Sequence, residues 1–253
     1  MELSVNIAQF SGPRPLALVI GHERSGNHFL MNAIAACCGY SVTPYLDLDN
    51  ADVNINFHHP EMLADVLTAL AGQHTASVLK SHHHQDFFAD VLGGLGDQVR
   101  IFYIHRHPVP VMESFWKFVQ GWPWREGPQA GDALSFAQSA PSGRLLRYQM
   151  EQAVSMAARW ETHVTGGLDA ADRHANVQAV RYEDLRDDYA AVMAGVGAAL
   201  GCLPESFPLP ERENFIKAVD GDAFAVSETE RHELSDWILG GLRPETSARL
   251  GLG

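Results

Sequence analysis

The chain has 253 residues, with 31 acidic side chains against 18 Lys+Arg, a formal net charge of −13 and 46% hydrophobic residues. That hydrophobic content argues against a disordered chain. The acidic balance argues against general nucleic-acid binding, where excess positive charge supplies most of the affinity. Any polyanion must therefore be held by a local basic cluster. No apolar run approaches the roughly 20 residues that span a bilayer, and the N-terminus, MELSVNIAQFSGPRP, lacks the basic and apolar regions of a secretory signal. Three cysteines, two of them the adjacent Cys37 and Cys38, make no disulfide framework and fit a reduced setting. The expectation is a soluble cytoplasmic protein with no membrane or nucleic-acid partner.

The first predicted element is the strand 16–20 (LALVI), a continuous apolar run of the kind buried on both faces of a sheet. The turn Gly21-His22-Glu23-Arg24-Ser25-Gly26 follows, then a helix over about residues 27–38. Residues 53–57 read as a short strand and 61–71, after Pro60, as a helix. Strands follow at 76–80 and at 99–104 (VRIFYI), the latter rich in β-branched and aromatic residues. Pro108 and Pro110 then open a helix through about residue 118, and 121–143, with its GWPWREGP stretch, reads as a loop or lid. A long helix is expected over 145–164, a strand over 177–181, a helix over 184–200, and helical stretches near 211–219 and 228–239. This alternation implies an α/β fold: a single domain over 1–253 with a central parallel sheet flanked by helices on both faces.

In such folds ligands sit beyond the carboxyl ends of the strands. The turn after the first strand offers backbone N–H groups at a helix N-terminus, the hydroxyl of Ser25 and the permanent charge of Arg24, a set suited to phosphate or sulfate. It is neither a Walker A loop, because Asn27 and His28 stand where Lys and Ser/Thr belong, nor a GxGxxG loop. Strand 76–80 ends in Lys80-Ser81-His82, a charge clamp beside a candidate base. His83 and His84 leave a solvated histidine cluster and a metal site as other readings, although three consecutive histidines diverge in any regular structure. Strand 99–104 ends in His105-Arg106-His107-Pro108, with Ser114 eight residues beyond Arg106. A guanidinium fork and a hydroxyl there suit one phosphate group.

Together these segments resemble the PAPS-dependent sulfotransferases of the cytosolic type, whose fold is P-loop-NTPase-like. Glu23 through Phe29 (ERSGNHF) is similar to the 5′-phosphosulfate loop PKSGTTW, and Leu79-Lys80-Ser81-His82 to the KTH segment carrying the catalytic base. Tyr103 through Pro108, with Ser114, is similar to the 3′-phosphate element, and Val180 through Leu185 (VRYEDL) to the YEDL segment. Four motifs in family order span about residues 16–200. The resemblance implies 3′-phosphoadenylyl sulfate (PAPS) as sulfuryl donor, adenosine 3′,5′-bisphosphate (PAP) as product, no metal, and in-line transfer to a hydroxyl or amine of a small acceptor. It implies His82 as general base, a task suited to the pKa of histidine. Arg24, where the family often has Lys, becomes a cation at the bridging oxygen, and Lys80 adds charge on the sulfuryl side. Ser25, Gly26, Asn27 and His28 are placed at the phosphosulfate, Arg106 and Ser114 at the 3′-phosphate, and Tyr182 either shapes the adenine site or has a mainly structural role. Phe29 either stacks on adenine or belongs to the core.

The chain departs from the family in two places. Asn27 and His28 replace a pair of small hydroxyl residues, and His28 is placed either to reach a phosphate or to face the acceptor. In the divergent segment 204–253, IKAVDGDA at 216–223 is the nearest match to RKGxxGDW. It keeps Lys217, Gly221 and Asp222, so Lys217 is the remaining basic candidate for the 3′-phosphate. Trp116, Phe118, Trp122 and Trp124 point either to an aromatic, partly apolar acceptor or to plain packing. Two other functions stand beside the leading one. A nucleotide-dependent kinase of P-loop-like fold lacks its lysine here, and intact Arg24 and His82 speak against a non-catalytic phosphoadenylate-binding protein.

Overall fold

The structure is a computed structural model that describes residues 9–10, 14–47, 60–73, 76–88, 91–121, 127–210 and 224–252. In chain order its elements are β1 (Gln9–Phe10), β2 (Leu16–Ile20), α1 (Asn27–Cys38), β3 (Ser41–Asp47), α2 (Pro60–Gly72), β4 (Ser77–Ser81), α3 (Gln85–Phe88), α4 (Val91–Gly94), β5 (Val99–His105), α5 (Pro108–Gln120), α6 (Ala133–Gln138), α7 (Met156–Arg173), β6 (Val177–Arg181), α8 (Tyr182–Asp187), α9 (Tyr189–Ala199), β7 (Cys202–Leu203), α10 (Glu228–Gly241) and α11 (Pro244–Leu250). Short 3-10 turns occupy Gly96–Gln98 and Gly143–Tyr148.

Five strands form one parallel sheet in the order β3-β4-β2-β5-β6, and β1 pairs separately with β7. The apolar runs are unbroken because side chains of both parities are covered. Ala17, Val19, Val78, Phe102, Ile104 and Val180 pack under a layer that includes Leu30 and Ile34 of α1 and Met193 and Val196 of α9. Leu16, Leu18, Ile20, Leu79, Ile101 and Tyr103 pack against Leu67 of α2, Phe88 of α3 and Ala170 of α7. Each buried Val, Leu or Ile contributes about 1.5–3 kcal/mol, so β2 and β5 anchor the sheet. A third core joins α5, α6, α7 and α10 through Phe115, Trp116, Phe136, Trp160 and Leu234.

The register levels Ile20 with Ser81 on one side and Tyr103 on the other, and sets His105 opposite Arg181. Because the strands are parallel, the segments leaving β2, β4, β5 and β6 emerge at one edge of the sheet.

Some elements differ from the expected ones. Strand β3 has no counterpart in the predicted set: its SVTPYLD sequence contains Pro44, which lowers a strand's claim, yet β3 lies at the sheet edge where proline is tolerated. The expected helix over 145–164 is a correction, because α7 begins only at Met156, where the Ser155 side chain caps it by accepting from Ala158 N. Within the segment expected as loop or lid, Asp132 caps α6, which buries Ala133, Phe136 and Ala137. The expected helix over 184–200 is split into α8 and α9 at Asp188, whose φ of −131 and ψ of 54 are not helical. The strand expected at 53–57 and the helix expected at 211–219 lie outside the described residues.

Candidate active site

The turn leaving β2 is built on glycine. Gly26, the N-cap of α1, has a φ of 101 and brings no side-chain cap. The first-turn N–H groups and the positive end of the helix therefore remain available to an anion. A Cβ at Gly26 would lie 2.4 Å from Tyr182 Cδ2, and one at Gly21 would lie 2.5 Å from the Ile104 carbonyl oxygen. Arg24 adopts a φ of 66, a left-handed conformation rare outside glycine and concentrated at ligand-binding turns. Ser25 Oγ and Asn27 Oδ1 are buried without a hydrogen-bond partner, an arrangement that costs stability unless a ligand or water completes it. Asn27 Nδ2 donates to the His22 carbonyl at 3.1 Å, tying the helix start to the turn.

Two arginines converge beside this turn. Arg24 Nε donates to Ser114 Oγ at 2.9 Å, so the first predicted station and the third are in direct contact. The Arg24 guanidinium lies 5.2 Å from the Phe118 ring centroid. Arg106 Nη1 reaches the Arg24 carbonyl at 3.4 Å, its guanidinium covers the Tyr182 ring at 4.3 Å, and its Nε is buried without a partner. Among the described residues no carboxylate pairs with either arginine. Burial first, and the neighbouring Arg106 second, hold the Arg24 pKa below its ordinary value. Two neighbouring cations with no carboxylate partner among the described residues are an arrangement suited to an anion. Glu183 closes the arrangement from the first turn of α8, its Oε1 accepting from His107 N at 3.0 Å.

On the other flank, His82 Nδ1 lies 2.8 Å from the Gly21 carbonyl oxygen. A carbonyl only accepts, so Nδ1 carries the proton and Nε2 keeps its lone pair. Burial, then the charge of Lys80, holds the His82 pKa well below the usual 6.5. Lys80 is 7% exposed, and its Nζ lies 3.4 Å from His28 Nε2. The site thus gathers Arg24, Ser25, Gly26, Asn27, His28, Lys80, His82, Arg106, Ser114 and Tyr182 at one sheet edge. Phe29 is half-buried, its ring nearly parallel to Tyr189 at 6.0 Å and edge-on to Tyr182 at 6.3 Å. Lys217, Trp122 and Trp124 lie outside the described residues. Of its two readings Trp116 takes the packing one: it is 5% exposed, its indole N–H donates to Ala130 O at 3.0 Å, and it packs in the core.

The histidine run diverges as its chain geometry requires. His83 Nδ1 lies 3.0 Å from Ser81 Oγ, while His84 packs on His163 at 4.6 Å. Among the described residues no group of three His, Cys, Asp or Glu side chains is placed to hold a metal ion, and no helix is long and apolar enough to cross a membrane.

Beneath the site lies a buried polar layer that sequence reasoning missed: His22, Glu23, Tyr103, Arg159 and His163. The one available signal was a carboxylate, Glu23, inside an otherwise anion-binding turn. Burial is the leading cause that lowers the pKa of His22 and His84, and it takes His163 to about 3 and His105 to about 4. Each imidazole binds a proton near pH 6.5 when unfolded but resists it when folded. The unfolded state therefore holds more protons as pH falls, and stability present above about pH 6.5 is lost below it, at up to about 1.4 kcal/mol per pH unit for each group. The melting temperature is expected to be level from pH 8 to 7 and to drop steeply from 6.5 to 5. A level profile through pH 5 would show that these imidazoles protonate without cost.

The fold is that of an α/β protein with a P-loop-like, glycine-capped turn after its central strand. No protein-family profile and no curated protein matches the chain. Solved structures do. The chain is similar to a sulfotransferase from Alicyclobacillus acidocaldarius at 14% identity and a TM-score of 0.53, covering 94% of each chain. It is similar to mouse sulfotransferase SULT7A1 complexed with PAP, at 14% identity, a TM-score of 0.52 and coverage of 94% of this chain and 89% of that one. Retinol dehydratase in complex with retinol and PAP gives 14% identity, a TM-score of 0.50 and coverage of 92% and 83%. The chain has the sulfotransferase-domain fold.

Proposed function

We propose that this protein is a PAPS-dependent sulfotransferase acting on a hydroxyl or amine of a small acceptor. The observation that carries the reading is the meeting of Arg24, Arg106 and Ser114, with no carboxylate on either arginine among the described residues, beside a glycine-capped helix start and a histidine whose Nδ1 is held by the Gly21 carbonyl. The residues fit a doubly phosphorylated adenylate: Ser25 Oγ and Arg106 Nε are buried and unpartnered, as donors awaiting an anion would be. Arg106 and Ser114 would hold the 3′-phosphate, with Lys217 a further candidate. Ser25, Asn27, His28 and the α1 N-terminus would hold the phosphosulfate, with Tyr182 and Phe29 toward the adenine.

PAPS, when bound, supplies an activated sulfuryl group. His82 Nε2 takes the proton of the acceptor hydroxyl or amine as the new bond to sulfur forms. Arg24 keeps its proton at any working pH and acts as an electrostatic clamp on the charge that builds as the old sulfur–oxygen bond breaks. Lys80 adds positive charge on the sulfuryl side. Three free buried cysteines, Cys37, Cys38 and Cys202, support a reduced, cytoplasmic setting.

The test is a thermal-shift comparison of adenosine 3′,5′-bisphosphate with AMP and with ATP plus magnesium. At about 100 times its dissociation constant a ligand stabilises the fold by roughly 2.7 kcal/mol. The bisphosphate is expected to raise the melting temperature and AMP hardly to change it. An equal shift from ATP with magnesium would favour the kinase reading instead.

A further inference from the structure

Glu23 places a carboxylate immediately before Arg24, in the turn that holds the anion site, where an uncompensated negative charge would repel phosphate and sulfate. The structure answers it from the far side of the sequence. Arg159, in the first turns of α7, is 0% exposed and grips Glu23 with both prongs: Nη1 donates to Oε2 at 2.7 Å and Nη2 to Oε1 at 2.9 Å. Its Nε donates to Gln149 Oε1 at 2.8 Å.

The same guanidinium also fixes His22. Arg159 Nη1 lies 2.9 Å from His22 Nε2, and His22 Nδ1 lies 2.9 Å from the Glu23 carbonyl oxygen. The carbonyl only accepts, so Nδ1 carries the proton and Nε2 accepts from Arg159, a single consistent tautomer. Two successive residues of the turn are thus tied to one buried cation, and the next residue is Arg24 in its left-handed conformation. One helical turn farther along α7, His163 Nε2 lies 3.1 Å from the His82 carbonyl oxygen, and its Nδ1 lies 2.8 Å from Tyr103 Oη. Positions 159 and 163 share a helix face, so one face of α7 underlies both the phosphate turn and the tip that carries the base.

We propose that Arg159 is a positioning residue for the anion turn: it neutralises Glu23, locks His22, and so holds Arg24 and the α1 N-terminus in the shape that receives the donor. This rests on the proposed PAPS reading. A merely stabilising ion pair behaves differently, because a buried pair replaced on both sides by apolar residues of similar size commonly keeps or gains stability.

The experiment compares the native chain with Arg159→Met, with Arg159→Lys and with the double variant Glu23→Met/Arg159→Met, reading melting temperature and affinity for adenosine 3′,5′-bisphosphate and for pyrophosphate by calorimetry. Arg159→Met, which leaves the carboxylate unpaired, is expected to weaken both ligands by about 100-fold, an effect of the size of a lost buried charge partner. Arg159→Lys keeps the charge without the fork, and is expected to weaken them several-fold. The double variant decides the matter should the single one fail to fold: near-native melting with about tenfold weaker binding supports positioning. Native affinity for pyrophosphate in the double variant, or no pyrophosphate binding by the native chain, overturns it. Native binding of pyrophosphate without the bisphosphate would overturn the PAPS reading and leave the role of Arg159 to be read on pyrophosphate.

Discussion

Replacing His82 with alanine is expected to lower sulfuryl transfer by about 10²- to 10⁴-fold, the range lost with a general base, while bisphosphate affinity stays close to native. The two effects separate because His82 meets the turn through its Nδ1, at Gly21 O and Asn27 Nδ2, groups that also hold one another. That turn keeps Gly21 N on Ser81 O at 3.2 Å, and Asn27 Nδ2 on Gly21 O at 3.4 Å. Truncation therefore removes the proton acceptor and leaves the anion-holding groups in place. The measurement is release of bisphosphate from PAPS across a panel of hydroxyl and amine acceptors at saturating donor, beside calorimetric titration of the bisphosphate. Full turnover in the variant would remove His82 from the chemistry, and loss of binding with unchanged turnover per bound donor would reassign it to the donor site.

Arg24→Ala is expected to weaken both steps together. A charge-assisted hydrogen bond contributes about 1.5–3 kcal/mol, so bisphosphate affinity should fall by about 10- to 100-fold, with a further loss of turnover if the same cation stabilises the departing bisphosphate. The partner arginine alone cannot compensate, because Arg106 is held on the Tyr182 ring and the Arg24 carbonyl. Arg24→Lys separates charge from geometry. Lysine keeps a point charge but has no Nε to donate to Ser114 in the same fork, so most of the turnover and only part of the affinity should return. Raising the salt concentration should weaken the native protein more than Arg24→Ala. Equal salt dependence and unchanged affinity in Arg24→Ala would show that this guanidinium does not face the donor.

Much of the site was legible because its signals are local. A glycine-bounded turn after an apolar strand, a Lys-Ser-His strand end and an Arg followed eight residues later by Ser are each short enough to be read along the chain. Parallel topology then brings their strand ends to one edge. What escaped depends on long-range pairing: Arg159 and Glu23 are 136 residues apart, and His163 and His82 are 81 apart. Arg159 lay inside a helix whose start was misplaced, since neither the Ser155 cap nor the irregular link before it breaks the apolar pattern. Trp116 is a case that the sequence left open. Its neighbourhood in sequence is aromatic, but its ring packs against Phe224 at 5.6 Å, a partner that proximity along the chain does not reveal.

Residue order alone determined the strand–helix alternation, the parallel sheet and the glycine-bounded turn after the first long strand, because these follow from runs of apolar residues and from glycines at fixed offsets. Tertiary structure alone decided that Arg24 turns onto Ser114, that Glu23 is neutralised from α7, and that the three histidines at 82–84 point to different neighbours. Side-chain direction and charge compensation depend on which distant groups share a low-dielectric space, and that is settled only when the layers close over the sheet.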